Sequence, residues 1–293
     1  MKIFNTPVLF LVFNRPEKTK RVFSIIKLVK PPRLFIAADG PRENILEDLE
    51  KCKQVREITK LIDWKCEVNT LFRKKNLGCK IAVSSAIDWF FSQIEEGIIL
   101  EDDCLPSQSF FLFCQEMLWR YRDDKRIMII SGTNPLGSWK EKIQSYHFSV
   151  YGGIWGWATW KRAWDYYDVD MKLWSKKKEK EKVRKMFTSK YQYKLKSYAF
   201  DRTFNGEINT WDYQWSFARL RMGGLAIIPA VNLIENIGFG KDATHTKSGY
   251  NALKITVQNL RFPLKYHGGV GADRSFDKKY FNKKIGKKQL VRS

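Results

Sequence analysis

Short apolar runs alternate with longer amphipathic stretches over the first 130 residues, and this alternation constrains the fold more than any other feature of the chain. The runs are Val8 to Phe13, Arg33 to Ala38, Cys66 to Phe72 and Gly97 to Leu100. The segments between them have the length and polarity of helices. Strands and helices alternating in this way predict an α/β fold that is Rossmann-like, with a mostly parallel central sheet flanked by helices.

The predicted strands are followed by polar turns that carry chemically useful side chains. We expect all the predicted strands of this region to join one parallel sheet, with a further helix from Pro106 to Tyr121 and a strand from Ile127 to Ile130. Because crossovers between parallel strands are right-handed, the turns open on one edge of the sheet. Ligands bind at that edge in α/β proteins.

Three consecutive acids, Glu101, Asp102 and Asp103, follow one buried strand directly. Carboxylates packed together repel one another, and a hard divalent cation such as Mn²⁺ or Mg²⁺ relieves this repulsion. Such a site leaves coordination positions for a diphosphate. The alternative is a solvated acidic turn, or an N-cap of the helix that follows.

Three other turns at the predicted edge carry candidate binding residues. Arg15 could hold phosphate oxygens through two hydrogen bonds, and Asp39 could accept hydrogen bonds from a nucleobase or a ribose hydroxyl. Asn76, with the two residues after it, could bring backbone amides and a helix N-terminus to an anion. Each has an ordinary alternative: a surface salt bridge for Arg15, a β-turn for Asp39 and a helix entry for Asn76.

The charge of the chain is positive and unevenly distributed. The formal net charge is +22 over 293 residues, and residues 151–293 carry 29 basic and 12 acidic side chains. This half should face an anionic partner, so a solvated lysine-rich surface and a peripheral role on an anionic membrane surface are the two interpretations. Nucleic acid is not expected, because no nucleic-acid-binding motif accompanies the charge.

The cysteines and the distribution of apolar residues indicate the cell compartment in which we expect the protein. The five cysteines include no CxxC pair, and the sequence has neither an apolar run of eighteen residues nor a small-residue cleavage site near Met1. We therefore expect a reduced, cytoplasmic protein, peripheral on the inner face of the membrane if the acceptor is lipid-linked.

The order and spacing of six segments resemble inverting GT-A glycosyltransferases of the N-acetylglucosaminyltransferase I type. The segments are VLFLVFNRP, FIAADGPR, NLGCK, GIILEDDCLPSQSFFLF, ISGTNPLG and TWDYQWSFAR, within residues 5 to 245. The resemblance implies a nucleotide-sugar donor held through a divalent cation. It assigns the metal to Asp103, the ribose or sugar to Asp102, and the donor sugar or support of the metal site to Glu101. It also assigns the nucleobase to Asp39 and the diphosphate to Arg15.

The same resemblance places the catalytic base at Asp212, in the segment Trp211-Asp212-Tyr213. An inverting transfer needs a carboxylate opposite the departing diphosphate, to take the proton of the attacking hydroxyl. The alternative role of Asp212 is an N-cap of the following helix. Glu207 and Glu235 are fallback candidates for the base.

His245 lies in a polar loop after the last apolar strand, with Lys241 nearby. By analogy with other GT-A enzymes it closes over the diphosphate or joins the metal, and the alternative is an exposed loop histidine. We also expect the segment Gly152 to Trp157 to form a platform for the acceptor or the donor sugar, and the alternative for its tryptophans is packing in the core.

The overall prediction is a GT-A domain over residues 1–245 and a basic C-terminal extension over residues 246–293. Its function would be metal-dependent, inverting transfer from a nucleotide sugar, with a UDP-sugar favoured, to a glycan or lipid-linked acceptor. The alternatives are a sugar-1-phosphate nucleotidyltransferase and a non-catalytic protein that binds anions or nucleic acid.

Overall fold

The computed structural model describes residues 3–239, 255–265 and 268–290. The strands of this part of the chain are β1 (Val8–Val12), β2 (Arg33–Ala38), β3 (Glu67–Phe72), β4 (Glu96–Glu101), β5 (Cys104–Pro106), β6 (Ile127–Ser131), β7 (Tyr146–Ser149), β8 (Trp157–Trp160), β9 (Leu225–Pro229) and β10 (Ile234–Asn236). The α-helices are α1 (Pro16–Val29), α2 (Leu46–Arg56), α3 (Gly78–Phe91), α4 (Gln108–Arg120), α5 (Lys161–Trp164), α6 (Lys177–Lys185), α7 (Lys190–Phe204), α8 (Asp212–Arg221) and α9 (Arg274–Leu290).

Eight of the strands in the described ranges form one central sheet, in the order β3-β2-β1-β4-β8-β6-β9-β7. The pairs β3–β2, β2–β1, β1–β4 and β6–β9 are parallel, whereas β8 is antiparallel to both of its neighbours and β7 is antiparallel to β9. The predicted fold class, α/β with a Rossmann-like, mostly parallel sheet, is confirmed. The strands predicted in the first 130 residues all run in the same direction within this sheet, as expected, whereas β8, which was not predicted, inserts antiparallel between β4 and β6.

Strand β1 shows why the strands read as unbroken apolar runs. Its five residues are all buried, and successive side chains point to opposite faces of the sheet. Val8, Phe10 and Val12 join a core with α1 and α4, whereas Leu9 and Leu11 join a second core with α3 and α8. Helices therefore cover both faces of the sheet, which leaves only its edges for polar chemistry.

Two of the predicted helices differ from the structure. The helix predicted from Pro106 begins at Gln108, because Pro106 ends β5, which pairs with β10. The basic segment from Lys176 to about Phe200, for which the sequence predicts one helix, forms α6 and α7 instead. The Ser189 hydroxyl caps α7 by accepting a hydrogen bond from the Tyr191 amide.

The C-terminal helix α9 packs against the rest of the protein. Phe276 is fully buried, and the Trp139 indole donates a hydrogen bond to Asp273 at 2.9 Å. The domain boundary predicted at residues 245 and 246 falls outside the described residues and stays a prediction. No helix in the ranges that the structure describes is long and apolar enough to cross a lipid bilayer.

Candidate active site

One cavity of about 410 Å³ at the carboxyl-terminal edge of the parallel strands gathers the predicted residues. Its lining includes Arg15, Asp39, Asn76, Glu101, Asp102, Asp103 and Asp212. These side chains come from the turns after β1, β2 and β4, from the loop before α3, and from the start of α8. His245 and Lys241 lie outside the described residues.

Arg15 lies between two of the three acids. Its Nη1 is 3.1 Å from Asp102 Oδ1 and 2.9 Å from Asp103 Oδ2. The backbone amide of Phe13 donates a further hydrogen bond to Asp102 Oδ2 at 3.3 Å. Arg15 is thus a salt-bridge partner, but inside the cavity: its side chain is only 18% exposed. The acids are therefore not a solvated turn.

Burial raises the pKa values of two carboxyl groups in the acidic cluster. Burial, and then the charges of Asp103 and Asp102, raise the pKa of Glu101 well above its ordinary value. Burial also raises the pKa of Asp102 to about 6, although Arg15 opposes the shift. Burial, followed by the charges of Glu101 and Asp212, raises the pKa of the Cys79 thiol to about 12, which favours its neutral form.

A second, two-stranded sheet fixes Asp103. Strand β10 pairs with β5 immediately after the acids, and the Ile237 amide donates to the Asp103 carbonyl at 2.8 Å. Gly238 then passes so close that a Cβ atom there would lie 2.2 Å from Asp103 Oδ2. The Gly238 amide donates to Asn236 Oδ1 at 2.8 Å. A larger residue at 238 would therefore have to displace the Asp103 carboxylate or the loop.

Two carboxylates of the cluster suit a divalent cation that is held partly by the protein and partly by substrate phosphates. No group of three His, Cys, Asp or Glu side chains in residues 3–239, 255–265 and 268–290 could hold a metal ion. Mg²⁺, however, is usually held by one or two carboxylates together with substrate phosphates. Asp102 and Asp103 supply two hard oxygen donors that already converge on one cationic nitrogen of Arg15. The residues fit this carboxylate-and-phosphate type of site.

Asp39 ties the end of β2 to the start of α3. Its carboxylate accepts hydrogen bonds from the Asn76 side chain at 3.0 Å and from the amides of Leu77 and Gly78 at 3.0 and 3.1 Å. The amides predicted to meet an anion therefore meet this carboxylate. Contact between Asp39 and a nucleobase stays a prediction.

Two arginines of the cavity were missed from the sequence. Arg42 forms two hydrogen bonds to the buried Asp48 carboxylate, at 2.6 and 3.0 Å, and this contact lowers the pKa of Asp48 to about 2. Arg73 directly follows β3 and donates to the Ser85 hydroxyl at 2.7 Å. The position of Arg73 at a strand end could have revealed it, and Arg42 is the last residue of the segment FIAADGPR, one of those that carry the resemblance.

Asp212 is the first residue of α8, and Trp211 occupies the N-cap position. The Asp212 carboxylate accepts a hydrogen bond from the Thr210 hydroxyl, so it does not serve as the helix cap. Of the fallback candidates, Glu235 lines a neighbouring cavity, whereas Glu207 pairs with Arg202 through a 2.9 Å contact between partly exposed side chains.

Comparison of the sequence with protein-family models and with curated proteins gives no match. Among solved structures, similarity extends to the mannosyltransferase PcManGT from Pyrobaculum calidifontis in complex with GDP-Man and Mn²⁺, at 11% identity and a TM-score of 0.38. The match covers 57% of this chain and 49% of that one, so the chain spans about half the length of that enzyme.

HddC from Yersinia pseudotuberculosis is similar at 12% identity and a TM-score of 0.34, with coverage of 56% and 81%. A UDP-glucose pyrophosphorylase complexed with UDP-glucose is similar at 12% identity and a TM-score of 0.28, with coverage of 50% and 62%.

Proposed function

We propose that the protein is an inverting glycosyltransferase that moves a sugar from a nucleotide-sugar donor to a glycan or lipid-linked acceptor. The observation that carries the proposal is the gathering of basic and acidic side chains from separate loops into one cavity, with Asp212 in its wall. The resemblance noted in the sequence favours a UDP-sugar.

The cavity offers the charges that a nucleoside diphosphate requires. Arg15, Arg42 and Arg73 line it, and guanidinium groups bind phosphate oxygens through paired hydrogen bonds. The acids that pair with Arg15 would repel a diphosphate unless a cation accompanied it. Asp103 and Asp102 would hold Mn²⁺ or Mg²⁺ for this reason. When bound, the cation supplies neutralisation of the charge that develops on the leaving diphosphate.

Asp212 would act as the base. In the transfer, the oxygen of the acceptor hydroxyl forms a bond to the anomeric carbon, while the bond from that carbon to the diphosphate oxygen breaks. The bonding electrons leave with the nucleoside diphosphate, and the hydroxyl proton passes to the Asp212 carboxylate. Attack from the face opposite the leaving group inverts the anomeric carbon.

A sugar-1-phosphate nucleotidyltransferase needs no base for an acceptor alcohol, and it releases pyrophosphate. The position of Asp212 beside a second cavity favours transfer to an acceptor.

The experiment supplies nucleotide sugars in one reaction, and nucleoside triphosphates with sugar 1-phosphates in another. Release of a nucleoside diphosphate, with inversion of the freed sugar observed by proton NMR, is expected. Asp212→Asn should slow this release about 10²- to 10⁴-fold without loss of nucleotide binding. The exposed Asp123→Asn is the matched control.

Release of pyrophosphate would contradict the proposal and support the alternative function, that of a sugar-1-phosphate nucleotidyltransferase. Salt-sensitive binding to RNA or DNA, with no affinity for nucleotides, would replace it with the non-catalytic binding protein.

A further inference from the structure

A second and larger cavity, of about 790 Å³, adjoins the cavity that contains the acids. The residues that line both are Ile154, Trp155, Asp212, Asn236 and Phe239. Its volume lies within the range of roughly 300 to 1,000 Å³ that is typical of small-molecule sites. Asp212 therefore stands at the boundary, in contact with both spaces.

One face of α8 forms a wall of this larger cavity. Asp212, Trp215, Ser216 and Arg219 line it, and residues three, four and seven apart lie on the same side of a helix. The base proposed for the reaction and the wall of the cavity thus belong to one rigid element.

Two buried polar groups of the lining have no hydrogen-bond partner among the residues that the structure describes. They are the Tyr151 hydroxyl and the Trp215 indole nitrogen, and Trp215 is only 1% exposed. A buried polar group without a partner is costly, so a ligand is expected to supply one. An indole N–H can only donate, and the ligand must therefore present an acceptor oxygen.

Aromatic rings make up much of the remaining lining. Those not on α8 include Tyr151, Trp155, Phe187, Phe276 and Tyr280. The faces of such rings pack against the C–H faces of pyranoses, while hydroxyl groups at the sugar edge reach polar atoms. Within the described ranges, the lining also holds three basic side chains and two acidic ones, so the two signs nearly balance: Lys196, Arg219, Lys283, Asp212 and Glu235. Apolar walls with a few placed polar groups are typical of a small-molecule site, and the near balance of charge favours an uncharged ligand.

The C-terminal helix α9 supplies one wall. The ring centroid of Tyr280 lies 5.0 Å from that of Tyr151, and Lys283 donates to the Pro135 carbonyl at 2.9 Å. Asp273 fixes the start of the helix by accepting from the amides of Ser275 and Phe276 at 3.1 and 3.0 Å. Residues from the basic end of the chain are therefore part of the cavity.

We infer that the larger cavity is the acceptor site, that it takes an uncharged pyranoside, and that α9 completes it. The inference rests on the proposed function, since an acceptor is needed only for transfer. A pyranoside that packs against this aromatic wall presents a hydroxyl to Asp212, whose other side faces the cavity of the nucleotide sugar. The Trp215 N–H and the Tyr151 hydroxyl bind ring or hydroxyl oxygens of the same sugar.

The test measures binding of the methyl α- and β-glycosides of glucose, galactose, mannose and N-acetylglucosamine to the full chain. Saturation-transfer NMR should detect at least one of them. Trp215→Phe keeps an aromatic ring but removes the indole N–H, and it should weaken the binding of that glycoside about tenfold. Ser216→Trp fills the cavity and should abolish the signal. Trp119→Phe, on the exposed side of α4, should leave binding unchanged.

Nucleotide binding, measured on the same variants, separates the two proposals. Trp215→Phe and Ser216→Trp should keep the nucleotide affinity of the parent protein, which also shows that they are folded. Absence of binding by every glycoside, or equal binding by Ser216→Trp and the parent protein, overturns the acceptor site. A parent protein that binds a glycoside but no nucleotide contradicts the proposed function and leaves the saccharide site standing.

Discussion

Arg15 and Asp103 form a 2.9 Å ion pair that joins the turn after β1 to the end of β4. The two strands are parallel neighbours in the sheet, so both residues leave it at the same edge. A diphosphate that binds in this cavity meets the arginine and the carboxylate together. Under the proposed function, the affinity for a nucleotide would therefore depend on the charges of both groups.

Replacement of Arg15 by glutamine removes the positive charge between the two aspartates. We expect the affinity for the preferred nucleoside diphosphate to fall about 10- to 100-fold, because a charge-assisted hydrogen bond contributes roughly 1.5 to 3 kcal/mol. Calorimetric titration measures the change. Arg21→Gln, on the exposed side of α1, is the control, and equal affinity in the two variants would remove Arg15 from the site.

Gly238→Ala tests the close approach that fixes Asp103. The added Cβ would lie 2.2 Å from Asp103 Oδ2, so the carboxylate or the loop must move. We expect a loss of about 1 to 3 kcal/mol in the free energy of unfolding, together with weaker nucleotide binding. Gly271→Ala meets no atom within 4 Å and serves as the control in urea unfolding. A Gly238→Ala protein with unchanged stability and binding would contradict the packing described here.

Asp39→Asn tests the link between β2 and α3. The substitution turns an amide group towards the donors of Asn76, Leu77 or Gly78, and leaves at least one of them without an acceptor. Chemical denaturation should show a loss of about 1 to 3 kcal/mol. Asp63→Asn, at a side chain that is 61% exposed, should change the stability much less. A similar effect of both substitutions would show that Asp39 does not hold the two elements together.

His147 should make the stability depend on pH. Burial lowers the pKa of His147 to about 4, and its ring packs 4.1 Å from that of Phe276, centroid to centroid. The unfolded chain takes up the proton near pH 6.5, so stability is full above this pH and falls as the pH drops to about 4. The loss should approach about 3 kcal/mol. Asp273 and Lys140 are the charged groups nearby, with opposite effects on the pKa.

Unfolding measured by denaturant between pH 7 and pH 4 checks this prediction for the parent protein and for His147→Phe. The variant should lose the part of the pH dependence that His147 supplies, whereas the opposite contribution of Asp102, whose pKa is raised to about 6, remains in both proteins. If the free energy of unfolding changed equally with pH in both proteins, the pH dependence would belong to other groups.

The parallel half of the sheet could be predicted because its signals are local. Strands such as Val8–Val12 are buried on both faces and therefore read as unbroken apolar runs. Strand β8, Trp157–Trp160, could not be predicted in the same way, since its place between β4 and β6 depends on long-range pairing. The small β5–β10 sheet likewise joins residues far apart in sequence.

The candidate site could be predicted only in part, for a similar reason. Residues directly after strands, such as Arg15 and Asp103, are brought together by the topology alone. The ion pair between them, the approach of Gly238 and the wall formed by Tyr280 depend on packing across the chain. No pattern in the nearby sequence reports such contacts.

The most direct test of the account is calorimetric titration with UDP, GDP, dTDP and CMP, each with and without Mn²⁺. One nucleotide should bind clearly better than the others and more tightly with Mn²⁺, and Asp103→Ala should lose the effect of the cation while it remains folded. Absence of binding by all four under both conditions, or an unchanged Mn²⁺ effect in Asp103→Ala, would contradict the account.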